Sequence, residues 1–272
     1  MNLPNQIIHQ TIPLAAGTDV RILSWNILSE ELSPIAPDIR ERIDRIAGTV
    51  RALAPDAMGI QEISESGYAL FAEKLPEYVF TNPKTAAGEY SFTGVAYRRD
   101  RYLLTASGIE NFDRGNARIR LMNWIHLEAV EGDRKFTLVS THWDRHARNR
   151  PADSDQMARY VLLLTARFGD PVICTGDFNT RENAEIFQSF LSVSGQRDAK
   201  YLAPSVVNLC FTGHPVGSFV PESEEETSID HITVADGIRV LQYEQMINQT
   251  VVDVSDHFPV CADLRFPQGE IR

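Results

Sequence analysis

Asp177 and Asn179 stand two apart in Gly176-Asp177-Phe178-Asn179, just after the apolar run Pro171–Thr175. Gly176 can open a sharp turn at the end of a strand. That turn would leave one charged oxygen and one neutral amide facing the same cleft, a pair able to hold an attacking water or a water on a metal ion. The same residues can also form an Asx-type turn that bonds its own backbone. Five further polar clusters recur along the chain: Trp25-Asn26, Gln61-Glu62, Thr141-His142-Trp143-Asp144, Ile229-Asp230-His231 and Ser255-Asp256-His257. Each follows or sits on an apolar, strand-like run. Carboxylates, amides and imidazoles repeated at strand ends are how a chain gathers distant residues at one rim of a sheet.

The residue types narrow the chemistry. Glu62, at the end of an apolar strand, suits a hard divalent cation. Asn26 can offer its amide oxygen to a metal or to a phosphate-bound water, or simply cap the next element. In Ser255-Asp256-His257 the carboxylate can reach a metal while the imidazole reaches a scissile phosphate or its water. Asp230 is the natural orienting carboxylate for His257, since such a pairing fixes the tautomer and raises the basicity of the ring. His142 can donate a hydrogen bond to charge developing on a phosphate, with Asp144 as its brace. Arg145, His146, Arg148 and Arg150 add a local basic spot in the same loop. Any one cluster alone can be a strand end, a cap or a solvated loop. Together they point to Mg²⁺ or Mn²⁺ and to hydrolysis of a phosphate ester, phosphodiester or phosphomonoester, by in-line attack of water.

The elements that must position these residues are legible in outline. Val20–Ser24 reads as a strand. Arg40–Leu53 carries Ile43, Ile46, Ala47, Val50 and Leu53 at helical spacing, and Pro55-Asp56 breaks it before a second strand, Ala57–Ile60. That is a βαβ-like unit with polar residues at both strand ends. Ser66–Leu75 is a predicted helix stopped by Pro76. Thr93–Tyr97 and Leu121–Ala129 are predicted strands, and Phe136–Thr141 joins the latter through the turn Glu131-Gly132-Asp133. Met157–Phe168 is a predicted helix and Val172–Thr175 a strand. Glu182–Leu191 is a predicted helix, with Thr180 and Asn183 as candidate caps. Ile229–Val234, Val240–Gln245 and Phe258–Leu264 close the chain as strands. Helices recurring among more numerous strands imply mixed sheets covered by helices, in one domain over residues 1–272.

Whole-chain properties exclude some function classes. The 272 residues carry a net charge of −11. A dedicated duplex binder usually presents a basic face, so the balance favours a small-molecule phosphate ester or a short nucleic acid. Three cysteines form no CxxC pair, and Cys174 and Cys261 lie in apolar runs, which suggests buried free thiols and a reducing compartment. The first twenty residues lack the pattern of a signal peptide. No run reaches the roughly 18 apolar residues of a membrane helix. A cytoplasmic protein with no obligate protein partner is the expectation. The run 221–227 (PESEEET) reads as a solvated loop.

The ordered set Trp25-Asn26, Gln61-Glu62, Thr141-His142, Gly176-Asp177-Phe178-Asn179, Ile229-Asp230 and Ser255-Asp256-His257 resembles the endonuclease/exonuclease/phosphatase superfamily, over about residues 20–264. The resemblance implies a four-layer, DNase I-like α/β sandwich, two packed mixed sheets flanked by helices. It implies Glu62 as principal metal ligand, with Asn26 nearby and Asp256 as a further contact, directly or through water. Asp177, assisted by Asn179, would position or activate the nucleophilic water. His257, held by Asp230, would contact the scissile phosphate, and His142 would bind the phosphate and stabilise the transition state. Arg120, four residues before Trp124, matches an arginine that a bacterial subgroup uses near the phosphate. Three positions depart from the pattern. Leu28 stands where an acidic residue is common, Asp153 where an arginine is common, and His231 where an aromatic is common. Two other readings are an endo- or exonuclease on DNA or RNA, and an inactive module that binds a phosphorylated ligand.

Overall fold

The computed structural model describes residues 13–113, 116–208, 210–218 and 227–267. The acidic run expected to be a solvated loop lies, but for Thr227, outside them.

Strand β1 (Val20–Asn26) is buried along its whole length. Helix α1 (Ile39–Leu53) starts where the Asp38 carboxylate accepts a hydrogen bond from the Arg40 N–H, and ends at Ala54 in the left-handed region (φ 47°), just before Pro55. Strand β2 (Ala57–Gln61) returns parallel to β1, with Ile22 opposite Ala57 and Asn26 opposite Gln61. Register therefore brings Asn26 and Glu62 out at the same sheet end. Helix α2 (Glu65–Lys74) is capped by Ser64, whose Oγ accepts from the Gly67 N–H. There follow β3 (Tyr78–Thr81), β4 (Thr93–Arg98), β5 (Tyr102–Asn111), β6 (Leu121–Ala129) and β7 (Lys135–His142). Helix α3 (Arg150–Phe168) leads to β8 (Val172–Asp177), parallel to β7 with His142 opposite Asp177. After α4 (Glu185–Ser194), β9 (Gln196–Asp198), α5 (Ala199–Leu202) and β10 (Val206–Val207), strand β11 (Asp230–Ala235) runs antiparallel to β8, with Asp230 opposite Asp177. The described residues end with β12 (Arg239–Gln245), α6 (Gln249–Val254) and β13 (Val260–Arg265).

One sheet has the order β10-β12-β13-β1-β2-β4-β3, the other β5-β6-β7-β8-β11-β9. Three apolar clusters cement four layers. The first packs α1, α2 and α6 on the first sheet through Ile43, Ile46, Phe71 and Val251. The second fills the space between the sheets with Ile22, Val95, Leu138, Ile173 and Ile232. The third packs α3 and α4 on the second sheet through Met157, Val161, Phe187 and Phe190. The predicted four-layer α/β sandwich is the observed fold. Between the sheets, near the polar strand ends, the contact is polar instead: Gln61 Nε2 donates to Ser140 Oγ at 3.1 Å. The sheets approach closely there, since a Cβ on Gly59 would lie 2.0 Å from Thr175 Oγ1.

Differences from the sequence expectations have local causes. Helix α3 begins at Arg150 and not at Met157, because Pro151 occupies the first turn, where its missing N–H costs nothing. Helix α4 begins at Glu185, and neither Thr180 nor Asn183 is its cap; the cap position is Ala184, with no side-chain bond. Strands β3 and β5 were not foreseen because both are sheet edges, and much of β5 is exposed. No helix among the described residues is long and apolar enough to cross a membrane.

Candidate active site

Pairing alone brings much of the predicted set together. In the second sheet β8 lies between β7 and β11, so His142 and Asp230 flank Asp177 on either side. In the first sheet β1 lies between β2 and β13, placing Asn26 beside Gln61-Glu62 and within reach of the segment entering β13. The two rims meet at one oxygen. Asp177 Oδ2 accepts from Asn26 Nδ2 at 3.2 Å, and has His142 Nε2 at 3.4 Å and His257 Nε2 at 3.9 Å. Its other oxygen accepts from the Asn179 N–H at 2.8 Å. Burial works against the Asp177 charge, but the flanking imidazoles outweigh it and hold the carboxyl well below the usual carboxylate range.

Asp230, fully buried, meets His257 Nδ1 with Oδ2 at 2.8 Å. This fixes the ring so that Nε2 faces Asp177. Burial opposes the charged imidazole, yet Asp230 and then Asp177 raise its pKa well above the ordinary histidine value. His142 is likewise raised: burial lowers it, and the bond to Asp177 more than compensates. His142 Nδ1 is buried with no hydrogen-bond partner among the described residues. Both rings therefore direct Nε2 at one anionic acceptor.

Asn26 gives its other amide hydrogen to Glu62 Oε1 at 3.0 Å, while its Oδ1 accepts from the Leu28 N–H. It thus presents donors to two carboxylates and organises them. Glu62 Oε2 accepts from the Ser29 N–H at 3.1 Å. Three non-glycine residues of this rim adopt left-handed backbone: Leu28 (φ 57°), Glu62 (φ 59°) and Asn179 (φ 50°). Strained conformations of this kind cluster at functional sites. Asp256 is less enclosed than Asp177, but its Oδ1 is buried without a partner among the described residues. Its pKa is raised by burial, then by the nearby charges of Glu62 and Asp177, although His257 works the other way. An orphaned carboxylate oxygen beside Glu62, in an all-oxygen donor set, fits a hard cation such as Mg²⁺ or Mn²⁺. Asp177, Asp230 and His257 also group their ligand atoms within 4.8 Å. Of that trio, Asp230 and His257 already bond each other, so it reads better as an oriented imidazole with its acceptor than as a cage.

Four expectations change. Asp144 does not brace His142, because the chain leaves the strand after that residue. Asp144 instead pairs with Arg120 at 2.9 Å and accepts from the His146 N–H and Asn149 Nδ2. Arg120 is enclosed by Asp144, by Asp153 at 3.8 Å and by the His142 carbonyl at 3.2 Å. Its guanidinium therefore braces the end of β7. Gly176 makes no turn; it lies within β8, where a Cβ would stand 2.5 Å from the Thr141 carbonyl oxygen. Ser255-Asp256-His257 follows helix α6 and not a strand. The departures from the family pattern also acquire places. His231 fills the aromatic's position by stacking on Phe187 at 4.2 Å. Asp153 accepts from the Asp144 N–H at 2.7 Å.

One residue of the site, Thr212, gave no sequence signal, and Ser255 gave only its place in a motif. Thr212 Oγ1 accepts from the N–H groups of Ile229 and Asp230, and its carbonyl accepts from the Phe258 N–H, joining the segments that carry the imidazole pair. Ser255 Oγ donates to the Asn26 carbonyl at 2.6 Å and accepts from the His257 N–H. An open recess of about 580 Å³ beside α4 and β9, lined by Gln188, Leu191, Arg197 and Tyr201, contains none of the site residues.

Two mixed sheets flanked by helices, with this rim, are the DNase I-like architecture. The chain belongs to the endonuclease/exonuclease/phosphatase family, whose sequence model matches residues 23–257. No curated protein matches the chain by sequence. Among solved structures, a Bacteroides vulgatus endonuclease/exonuclease/phosphatase is similar with a TM-score of 0.79 at 22% identity, covering 92% of this chain and 99% of that one. A mannosyl-6-phosphatase of Bacteroides thetaiotaomicron is similar at 0.77 and 21%, covering 91% and 100%. The human nocturnin catalytic domain, with a bound sulfate anion, is similar at 0.69 and 21%, covering 91% and 94%.

Proposed function

We propose that this chain hydrolyses a phosphate ester by in-line attack of water, with a divalent cation held by Glu62 and Asp256 and Asn26 alongside. The observation that carries this reading is the convergence of Asn26, His142 and His257 on Asp177 Oδ2, with Glu62 one hydrogen bond away. A bound Mg²⁺ or Mn²⁺ would supply Lewis-acid neutralisation of charge on the phosphate oxygens. The rest is the work of side chains. Asp177, kept ionised by its neighbours, orients the attacking water as an acceptor, and Asn179 fixes the Asp177 carboxylate through its N–H. Asp230 accepts from His257 Nδ1–H and turns Nε2 towards the site, where the second ring proton, favoured by Asp230 and Asp177, makes it a donor. His142 presents Nε2–H from the other side. Two donors fixed before reaction stabilise charge that builds on the phosphoryl oxygens. Arg120 keeps the β7 end in place from behind.

A small phosphate ester is the favoured substrate, because a chain of net charge −11 repels a long polyanion. The mannosyl-6-phosphatase among the structural neighbours agrees with this, and the sulfate on nocturnin agrees with an anion site in this fold. The test is hydrolysis of p-nitrophenyl phosphate and bis-p-nitrophenyl phosphate with Mg²⁺, Mn²⁺ and excess chelator. Metal-dependent turnover lost in Asp177→Asn is expected. Turnover that survives both the chelator and the substitution would overturn the reading.

A further inference from the structure

Arg42 is among the largest fully buried side chains, with no exposed surface. A guanidinium in that position is costly unless its donors are satisfied. Its donors reach three separate segments. Nε donates to the Pro37 carbonyl at 2.9 Å, and NH2 to the Leu28 carbonyl at 2.6 Å. NH1 donates to the Ile27 carbonyl at 2.6 Å and also to the Val254 carbonyl. The nearest carboxylate is Glu30, at 3.7 Å. Ile27 and Leu28 directly follow Asn26, and Val254 precedes Asp256 by two residues. One planar group thus ties the segment that presents Asn26, and through it Glu62, to the segment that presents Asp256.

We propose that Arg42 is a positioning residue for the cation site, fixing the spacing between the Asn26–Ser29 segment and the Val254–His257 segment. The inference rests on the cation site proposed above. Oxygen ligands must converge on one centre at about 2.0–2.6 Å. Asn26 and Asp256 come from chain ends more than two hundred residues apart, so something must hold their backbones in register. Pairing between β1 and β13 ends at Ser24 and Val260, short of both segments. The remaining links are the Trp25 indole N–H on the His257 carbonyl, the Ser255 hydroxyl on the Asn26 carbonyl and the Arg42 fan, and of these only Arg42 reaches Ile27, Leu28 and Val254. The fork of Arg42 spans carbonyls on both segments at once, whereas a lysine ammonium is a point charge that cannot reproduce that planar set. The guanidinium also carries positive charge close to Glu30, Asp256 and Glu62, so the acidic ligands are held near each other before any cation arrives.

Arg42→Lys and Arg42→Met are compared with the native chain by Mn²⁺ titration, followed by electron paramagnetic resonance, and by turnover against Mn²⁺ concentration. Mn²⁺ affinity is expected to fall roughly ten- to a hundredfold in both, the range seen when outer groups that orient metal ligands are removed. Turnover is expected to return to within a few fold of native at saturating Mn²⁺, because the reacting residues are untouched. A folded Arg42→Lys that binds Mn²⁺ as tightly as the native chain overturns the proposal. So does lost turnover that saturating Mn²⁺ does not restore. If Arg42→Met does not fold, the lysine variant decides; if that also fails to fold with Mn²⁺ present, the residue serves the core and the proposal is overturned. Glu62→Gln separates the two readings. Native chain that binds no Mn²⁺, or Glu62→Gln that binds it unchanged, removes the cation site itself.

Discussion

His257 Nε2 and Asp177 Oδ2 stand 3.9 Å apart. The gap exceeds a hydrogen bond, yet one oxygen set to the side of both atoms can bond to each. The imidazole is held from behind by Asp230 and the carboxylate by the Asn179 N–H, so neither can close the gap by turning. An oxygen entering there meets a donor on one side and an acceptor on the other, which is what an attacking water beside a phosphate requires.

Replacing either side of that gap should stop the reaction without unfolding the chain. Asp177→Asn keeps the shape of the side chain and loses its charge; His257→Asn loses the Nε2 donor. Each is expected to lower kcat on bis-p-nitrophenyl phosphate by roughly 10²–10³, the usual effect of removing one preorganised group. Circular dichroism and a cooperative melting transition would show that the fold survives. Near-native turnover in both variants would reject the assigned roles.

Cation removal should be visible in stability as well as in rate. A ligand that binds only the folded state adds RT ln(1 + [L]/Kd), or about 2.7 kcal/mol at a hundredfold excess over Kd. Excess chelator is therefore expected to lower the melting temperature, and Mn²⁺ to restore it. Asp256→Asn should blunt the Mn²⁺ effect, because Asp256 Oδ1 has no other partner among the described residues. An identical Mn²⁺ shift in Asp256→Asn would remove that residue from the ligand set.

Two glycines separate close approach from backbone freedom. A Cβ at Gly176 would stand 2.5 Å from the Thr141 carbonyl oxygen and 2.8 Å from Thr141 Cγ2, between β7 and β8 at the site. Gly176→Ala is expected to cost about 1–3 kcal/mol in urea unfolding and to impair turnover by spreading His142 from Asp177. Gly48, inside α1, has nothing within 4 Å of such a Cβ. Gly48→Ala should stabilise by about 0.5–1 kcal/mol with unchanged turnover. Reversed signs would mean that a Cβ finds room at Gly176 and none at Gly48.

The contrast explains what the sequence could and could not reveal. Glu62, Asp177 and Asp230 were legible because each is a polar residue at or just past the end of an apolar strand, where register determines position, and His257 because it leads into the apolar strand β13. Elements buried on one or both faces, such as α1 and β6, were legible for the same reason, since burial writes periodicity into composition. Edge strands β3 and β5 carry no such pattern. Asp144 was misassigned because a loop, and not strand alternation, decides where it points. Arg42 was invisible for another reason. It sits among several arginines on a surface helix, and only the fold shows that this one turns inward.

His231 gives a pH dependence remote from the reacting atoms. It is buried, stacks on Phe187, and has both ring nitrogens engaged: Nδ1 lies 3.3 Å from Asp198 Oδ2 and Nε2 is 3.0 Å from the Thr180 carbonyl. A ring with acceptors on both nitrogens favours the doubly protonated form. Burial opposes the charge, but Asp198 outweighs it and raises the pKa above the ordinary histidine value. The sign follows from linkage. Because the folded pKa is raised, the stabilisation is fully present below the unfolded value of about 6.5 and is lost as pH climbs through the folded pKa. His231→Gln leaves Asp198 without its cation, so at pH 5.5 it is expected to cost about 3 kcal/mol, the low end for breaking a buried ion pair. Urea unfolding of both chains from pH 5.5 to 9 checks this. The difference between them should be largest at the acid end and shrink as His231 deprotonates in the native chain. A difference that stays constant, or grows with pH, would mean that the ring is neutral in the folded state.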